Sequence, residues 1–148
     1  MSDNPVYEGG CLCGTIRYRI AGPIAWAAHC HCAMCRRASG AVALTWATVP
    51  ATRFAITQGE PATYRSSENA ERRFCPACGS QLTFWSNAHP NEMDVSLGTL
   101  DHPEDHRADR HTWAKSRLSW LRLDDHLVAY AESTPADKRP AIGGGDDA

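Results

Sequence analysis

His29-Cys30-His31-Cys32-Ala33-Met34-Cys35-Arg36-Arg37 places three thiols within six residues, flanked by imidazole and guanidinium groups. Sulfurs spaced C-x-C-x-x-C can turn inward on one soft divalent cation, and the Cys-x-x-Cys arm suits a tight turn whose thiolates stand about 3.5–4 Å apart on tetrahedral zinc. Iron accepts the same donors. Four more cysteines stand in two pairs, Cys11-Leu12-Cys13 and Cys75-Pro76-Ala77-Cys78, so the total of 7 divides into a group of four and a group of three. That division predicts a closed structural zinc site with four protein sulfurs. It also predicts a second zinc site with three, whose remaining coordination position stays open to substrate.

Working outward, Gly9-Gly10 and Gly14 bracket the first thiol pair and let the backbone curl so that both sulfurs face one ion. Thr15 to Ile20 alternates apolar and polar residues as a half-buried strand does, and Gly22-Pro23 ends it. A second strand is predicted from Ile24 to Ala28, leading into the three-thiol cluster, with one helical turn over Arg36 to Ser39 before Gly40. Ala41 to Val49 reads as another strand with Val42, Leu44 and Trp46 on one face. Phe54–Thr57 and Ala62–Arg65 read as a hairpin turning at Gln58-Gly59-Glu60-Pro61. Ser66 to Glu71 reads as a solvated loop, followed by strands over Leu82–Trp85 and Met93–Leu97 and a charged loop from Asp101 to Arg110. His111 to Trp113 and Ser119 to Leu121 supply apolar groups to cover an open sheet edge. Many short strands and almost no helix make a mainly β domain over residues 1–132, with a polar tail over 133–148.

The chain has 148 residues, a formal charge of −2 and 43% hydrophobic residues, which suits one ordinary core and gives no broad attraction to nucleic acid or an anionic membrane. No run of about 18 apolar residues is present to span a bilayer, and the first residues lack the basic and apolar regions of a signal peptide. The expected compartment is the cytoplasm. Its reducing thiol pool disfavours disulfides, so clustered cysteines point to metal.

Gly10-Cys11-Leu12-Cys13-Gly14, Cys30 to Gly40, and Phe74-Cys75-Pro76-Ala77-Cys78-Gly79-Ser80, followed by Gly98-Thr99-Leu100-Asp101 and the Trp113 and Trp120 segments, together resemble the glutathione-dependent formaldehyde-activating enzyme family, which also includes the domain of centromere protein V. The resemblance runs from about Gly9 to Tyr130. It implies a β-tent fold of short antiparallel strands, with Cys11, Cys13, Cys75 and Cys78 matching the structural zinc site and Cys30, Cys32 and Cys35 the active-site zinc ligands. The family activity it implies joins glutathione and formaldehyde into S-hydroxymethylglutathione, a carbon-sulfur lyase reaction. Formaldehyde-activating members resemble Cys-Gly-Cys-x-Lys-Cys-Trp at the second cluster. With His31, Met34 and Arg36 there, this chain resembles the broader family instead.

A three-cysteine site leaves room for a substrate thiol to bind, lose its proton and attack an aldehyde carbonyl. Being short of one ligand, it is also the site expected to be partly occupied. Arg36 and Arg37 are the candidate clamps for glutathione carboxylates, against the plainer reading of solvated surface. His31, between two inward-turned cysteines, should face away from the metal. Two competing readings are a non-catalytic zinc-stabilised binding module and a redox dithiol at Cys32 and Cys35, the latter leaving Cys30 unexplained. A fourth ligand supplied by the protein favours the module, and a cleft over an incomplete site favours the enzyme.

Overall fold

The computed structural model describes residues 4–123 and 126–142. In chain order the elements are β1 (Val6–Gly10), β2 (Arg17–Ala21), β3 (Trp26–Cys30), α1 (Ala33–Ser39), β4 (Leu44–Pro50), β5 (Phe54–Gln58), β6 (Ala62–Ser67), β7 (Ala70–Phe74), β8 (Gln81–Ser86), β9 (Glu92–Ser96), β10 (Arg110–Thr112) and β11 (Val128–Ala129). β1, β2 and β5 form a three-stranded sheet, and the others an eight-stranded sheet ordered β11-β10-β3-β4-β9-β8-β7-β6. The large sheet is antiparallel from β3 to β6, whereas β10 runs parallel to both β3 and β11. The protein is therefore mainly β, with mixed pairing at one edge.

The alternation seen in the sequence builds the core. Ile16, Tyr18 and Ile20 are buried with Val49, Met93 and Val95 of β4 and β9, and with Leu82 and Leu100. Each such aliphatic side chain contributes about 1.5–3 kcal/mol by leaving water. Tyr18 spans the layer: its hydroxyl sits 2.7 Å from Thr99 Oγ1, its ring centroid is 5.3 Å from that of Phe54, and burial pushes the phenol up to about 12. β1 can lie over that ring because Gly9 has no side chain. A Cβ there would stand 2.4 Å from the Tyr18 hydroxyl oxygen and 2.5 Å from the Thr99 carbonyl.

Several expectations are corrected. The residues before the first thiol pair, to which the sequence reading assigns no element, form β1, paired residue for residue with β2. Phe54–Thr57 and Ala62–Arg65 are not a hairpin: β5 pairs with β2 and β6 with β7, so the chain changes sheets at Gln58–Pro61. The physical reason is burial, since Phe54 and Ile56 pack against the core with Tyr18, whereas Thr63 to Arg65 of β6 are exposed. Ser66 to Glu71 is the tight end of the β6–β7 hairpin instead of a long loop. Val42 is 41% exposed and Trp120 68% exposed, so neither completes a core; the open edge at β3 is covered by β10 and β11.

Within the segment read as a polar tail, Thr134 is buried, and Arg139 pairs with Glu92 at 2.5 Å with its guanidinium 5.1 Å from the Trp26 ring centroid. Gly143 to Gly145 lie outside the described residues. Among the described residues no helix is long and apolar enough to cross a membrane.

Candidate metal clusters and active-site cleft

The turn after β1 carries Cys11 and Cys13, and the turn between β7 and β8 carries Cys75 and Cys78. One turn belongs to the small sheet and the other to the large sheet, so the four thiols clip the two layers together. All four sulfurs lie within 4.8 Å of one another. Cys11 Sγ is 3.6 Å from Cys13 Sγ, and Cys13 Sγ is 3.8 Å from Cys75 Sγ. Four sulfurs at ~2.3 Å from a tetrahedral zinc would stand about 3.8 Å apart, so the donor set fits that ion. Backbone amides support the sulfurs: Ile16 N–H donates to Cys11 Sγ at 3.3 Å and Cys78 N–H to Cys75 Sγ at 3.4 Å. The Ser80 hydroxyl, 3.2 Å from Cys78 Sγ, is the main reason that thiol is pulled down to about 5. Such donors favour thiolate, the form that ligates.

The second cluster forms where β3 runs into α1. Cys30 ends the strand, and Cys32 caps the helix with extended backbone (φ −62°, ψ 150°) while its sulfur accepts the Cys35 N–H at 3.2 Å. Gly40, at φ 75°, closes α1 by returning its N–H to the Arg36 carbonyl. The sequence reading of a single turn from Arg36 is thus short by three residues, because the cap is a cysteine sulfur instead of a hydroxyl or carboxylate. The three sulfurs lie within 4.8 Å of one another, and among the described residues no His, Asp or Glu atom joins them. Hydrogen bonding with Cys30 draws the Cys32 thiol far down, and the same contact with Cys32 pushes Cys30 up, so the trio titrates as a unit.

The sequence reading missed Arg72. This β7 residue is 4% exposed, donates through both terminal nitrogens to Cys35 Sγ at 3.5 and 3.6 Å, and lies 4.9 Å from the Phe84 ring centroid. The Trp46 indole N–H donates to the same sulfur at 3.4 Å. Three thiolates around a divalent ion carry a net charge of −1, which one guanidinium balances. A buried arginine aimed at a sulfur is therefore a sign that the trio is meant to be anionic.

The trio opens into a cleft of about 530 Å³ on the face of the large sheet away from the core. Trp46, Phe84, Trp113 and Met34 line it around the sulfurs. Across the sheet, one register row runs Trp26, Thr48, Asp94, Phe84, Arg72. Trp113 holds a left-handed backbone (φ 54°), secured by its N–H to the Glu132 carbonyl at 2.9 Å. A bulky residue in that region is strained, which is characteristic of side chains held for a task.

Arg36 and Arg37 fall outside this cleft. Arg36 donates to the Ser116 carbonyl at 3.4 Å, Arg37 is exposed on α1, and neither lines the cavity. His31 faces away from the sulfurs, as alternation along an extended C-x-C requires: it is 1% exposed, its Nε2 stands 2.8 Å from His111 Nδ1, and burial pushes it down to about 4. Only an alternating face over Ala70, Arg72 and Phe74 hinted at Arg72, and the partner strand that gives this face its meaning is not local in sequence.

The model of the glutathione-dependent formaldehyde-activating enzyme family matches residues 6–116. A Schizosaccharomyces pombe protein named only as an uncharacterised lyase is 34% identical over 87 residues, covering 54% of this chain and 58% of that protein. A Halomonas elongata protein with the provisional name of glutathione-dependent formaldehyde-activating enzyme is 26% identical over 152 aligned positions, covering 92% of this chain and 96% of its own. A crystal structure of a Rhodobacter sphaeroides protein shares the fold with a TM-score of 0.55 at 21% identity, over 83% of this chain and 99% of that one. With three quarters of its length matched and both thiol clusters assembled inside the matched region, this chain belongs to the glutathione-dependent formaldehyde-activating enzyme family.

Proposed function

We propose that the protein is a zinc-dependent carbon-sulfur lyase that reversibly joins a small thiol of the glutathione type to a small aldehyde at the Cys30, Cys32 and Cys35 cluster. The observation that carries this reading is a cluster of three thiols, with no fourth protein ligand among the described residues, lining a cleft of about 530 Å³. That arrangement speaks against a non-catalytic module, whose metal would be closed by the protein. The third thiol, Cys30, is likewise unexplained by a redox pair at Cys32 and Cys35. The names of the S. pombe and Halomonas relatives point the same way. The four-cysteine cluster is then the structural zinc at the apex of a β-tent. A reducing compartment such as the cytoplasm keeps all seven thiols free.

When bound at the trio, zinc supplies an open position that favours the thiolate of an incoming thiol. The chain's own groups do the rest. Arg72 and Trp46 hold Cys35 in place and offset the charge of the trio, while Trp46, Phe84 and Trp113 keep the reacting sulfur out of bulk water. The substrate sulfur forms a bond to the carbonyl carbon, the carbonyl π pair moves to oxygen, and oxygen takes a proton from solvent. The hemithioacetal splits by the reverse path with no change of oxidation state.

The test is thiol-dependent aldehyde exchange by line-shape NMR, measured above the spontaneous rate. Cys32→Ser is expected to fall to that spontaneous rate. An unchanged rate would remove the trio from the reaction.

A further inference from the structure

The cleft also holds a carboxylate that this chemistry leaves idle. Asp94 of β9 stands in register with Thr48 on β4 and Phe84 on β8, and it lines the cavity. Thr48 Oγ1 donates to Asp94 Oδ1 at 2.5 Å, and among the described residues Asp94 has no ion pair. The cations around it are otherwise engaged. Arg139, from the C-terminal segment, pairs with Glu92 and lies over Trp26, while Arg72, from β7, is turned onto Cys35. With Arg139 and Arg72 acting on it only at a distance, a partly desolvated carboxylate with no cation in contact gains when a ligand brings one against it.

Distance decides what the carboxylate can do. Asp94 and Arg72 are neighbours of Phe84 on opposite sides, so their backbones are two strand spacings apart, about 9–10 Å. Arg72 reaches the trio from one side of Phe84, whereas Asp94 on the other side does not join the sulfurs, so the carboxylate is placed to hold a part of the ligand other than the reacting atom.

Resting on the reaction assigned above, we propose that Asp94, fixed by Thr48, is the site in this cleft that recognises the ammonium group of the thiol substrate. Selectivity thus comes from an anion reading the substrate's ammonium, in place of the arginine clamp on its carboxylates expected from Arg36 and Arg37.

The experiment measures direct binding of glutathione and of N-acetylglutathione to the zinc-loaded protein by calorimetry, with no aldehyde present. Acetylation removes the positive charge and leaves the thiol. A charge-assisted hydrogen bond predicts that the wild type prefers the free amine by about 10–100-fold. Asp94→Asn, which keeps the acceptor for Thr48, should bring the ratio to within about threefold, and Asp94→Glu should retain a preference that Asn loses. A wild type that binds both thiols equally overturns the ammonium site while leaving the reaction standing. With aldehyde then added in the line-shape NMR assay, an amine preference lost in Asp94→Asn but no aldehyde exchange by the wild type above the spontaneous rate upholds the site and refutes the reaction. A wild type that binds neither thiol overturns both.

Discussion

Replacing Arg72 by Met should loosen metal at the three-cysteine cluster and leave the four-cysteine cluster alone. Arg72 supplies two of the three side-chain donors to Cys35 Sγ, at 3.5 and 3.6 Å, the third being the Trp46 indole at 3.4 Å. Hydrogen bonds to a charged partner are worth about 1.5–3 kcal/mol, which converts to roughly a 10–150-fold loss of metal affinity. Met fills nearly the same space, so no cavity forms, and it removes a buried charge, so the fold should change little in stability. The Phe84 contact gives up about 0.5–1 kcal/mol of cation–π attraction. The assay is chelator competition on protein loaded with two zincs, with released metal read against chelator concentration. The parent should show two release steps, and in Arg72→Met only the weaker step should move, by at least tenfold. Arg72→Lys should fall between, since it keeps the charge but not the fork. If both steps stay put, or move together, the assignment of Arg72 to the trio is wrong.

Cys75→Ser should lose one metal equivalent and lower the melting temperature by on the order of 10 °C, since a buried ligand of the inter-sheet clip is removed; unchanged zinc and melting temperature would clear Cys75 of that role. Asp94 sets a pH dependence of stability. Burial raises its carboxyl from an ordinary 3.8 to about 6, so the native state prefers the protonated form. The stability this group contributes is fully present below about pH 4 and is lost as pH rises through about 6. After allowing for its partial exposure, the loss is on the order of 1–2 kcal/mol. Asp94→Asn should therefore be more stable than the parent at pH 7.5 and match it at pH 4 in denaturant melts; a variant less stable at pH 7.5 would contradict the reasoning.

Much of the metal chemistry was legible in the sequence because it is local. Within each pair or trio the sulfurs are two or three residues apart, and turn geometry alone makes them neighbours. The alternating runs of β2, β4, β8 and β9 were readable for the same reason, since a period of two depends only on the chain's own backbone. The β5–β6 hairpin was misread because Gly59 and Pro61 mark a change of direction, and direction does not say which sheet the next strand joins. Gly9 misled in a similar way, reading as slack beside a thiol pair when its missing side chain makes room for Tyr18.

The amino-acid sequence by itself determined two thiol pairs and a trio, because sulfurs two or three residues apart are neighbours through turn geometry alone; that the Cys11 pair meets the Cys75 pair was decided by the packing of the two sheets. Tertiary structure alone decided what surrounds the trio: Arg72 instead of Arg36 and Arg37, Trp46 on Cys35, and Asp94 in the wall of the same cleft. Arg72, Trp46 and Asp94 lie on four different strands together with Thr48 and Phe84, and side chains meet across strands only through register. A slip of one residue turns the whole row to the opposite face, so no local pattern can foretell it.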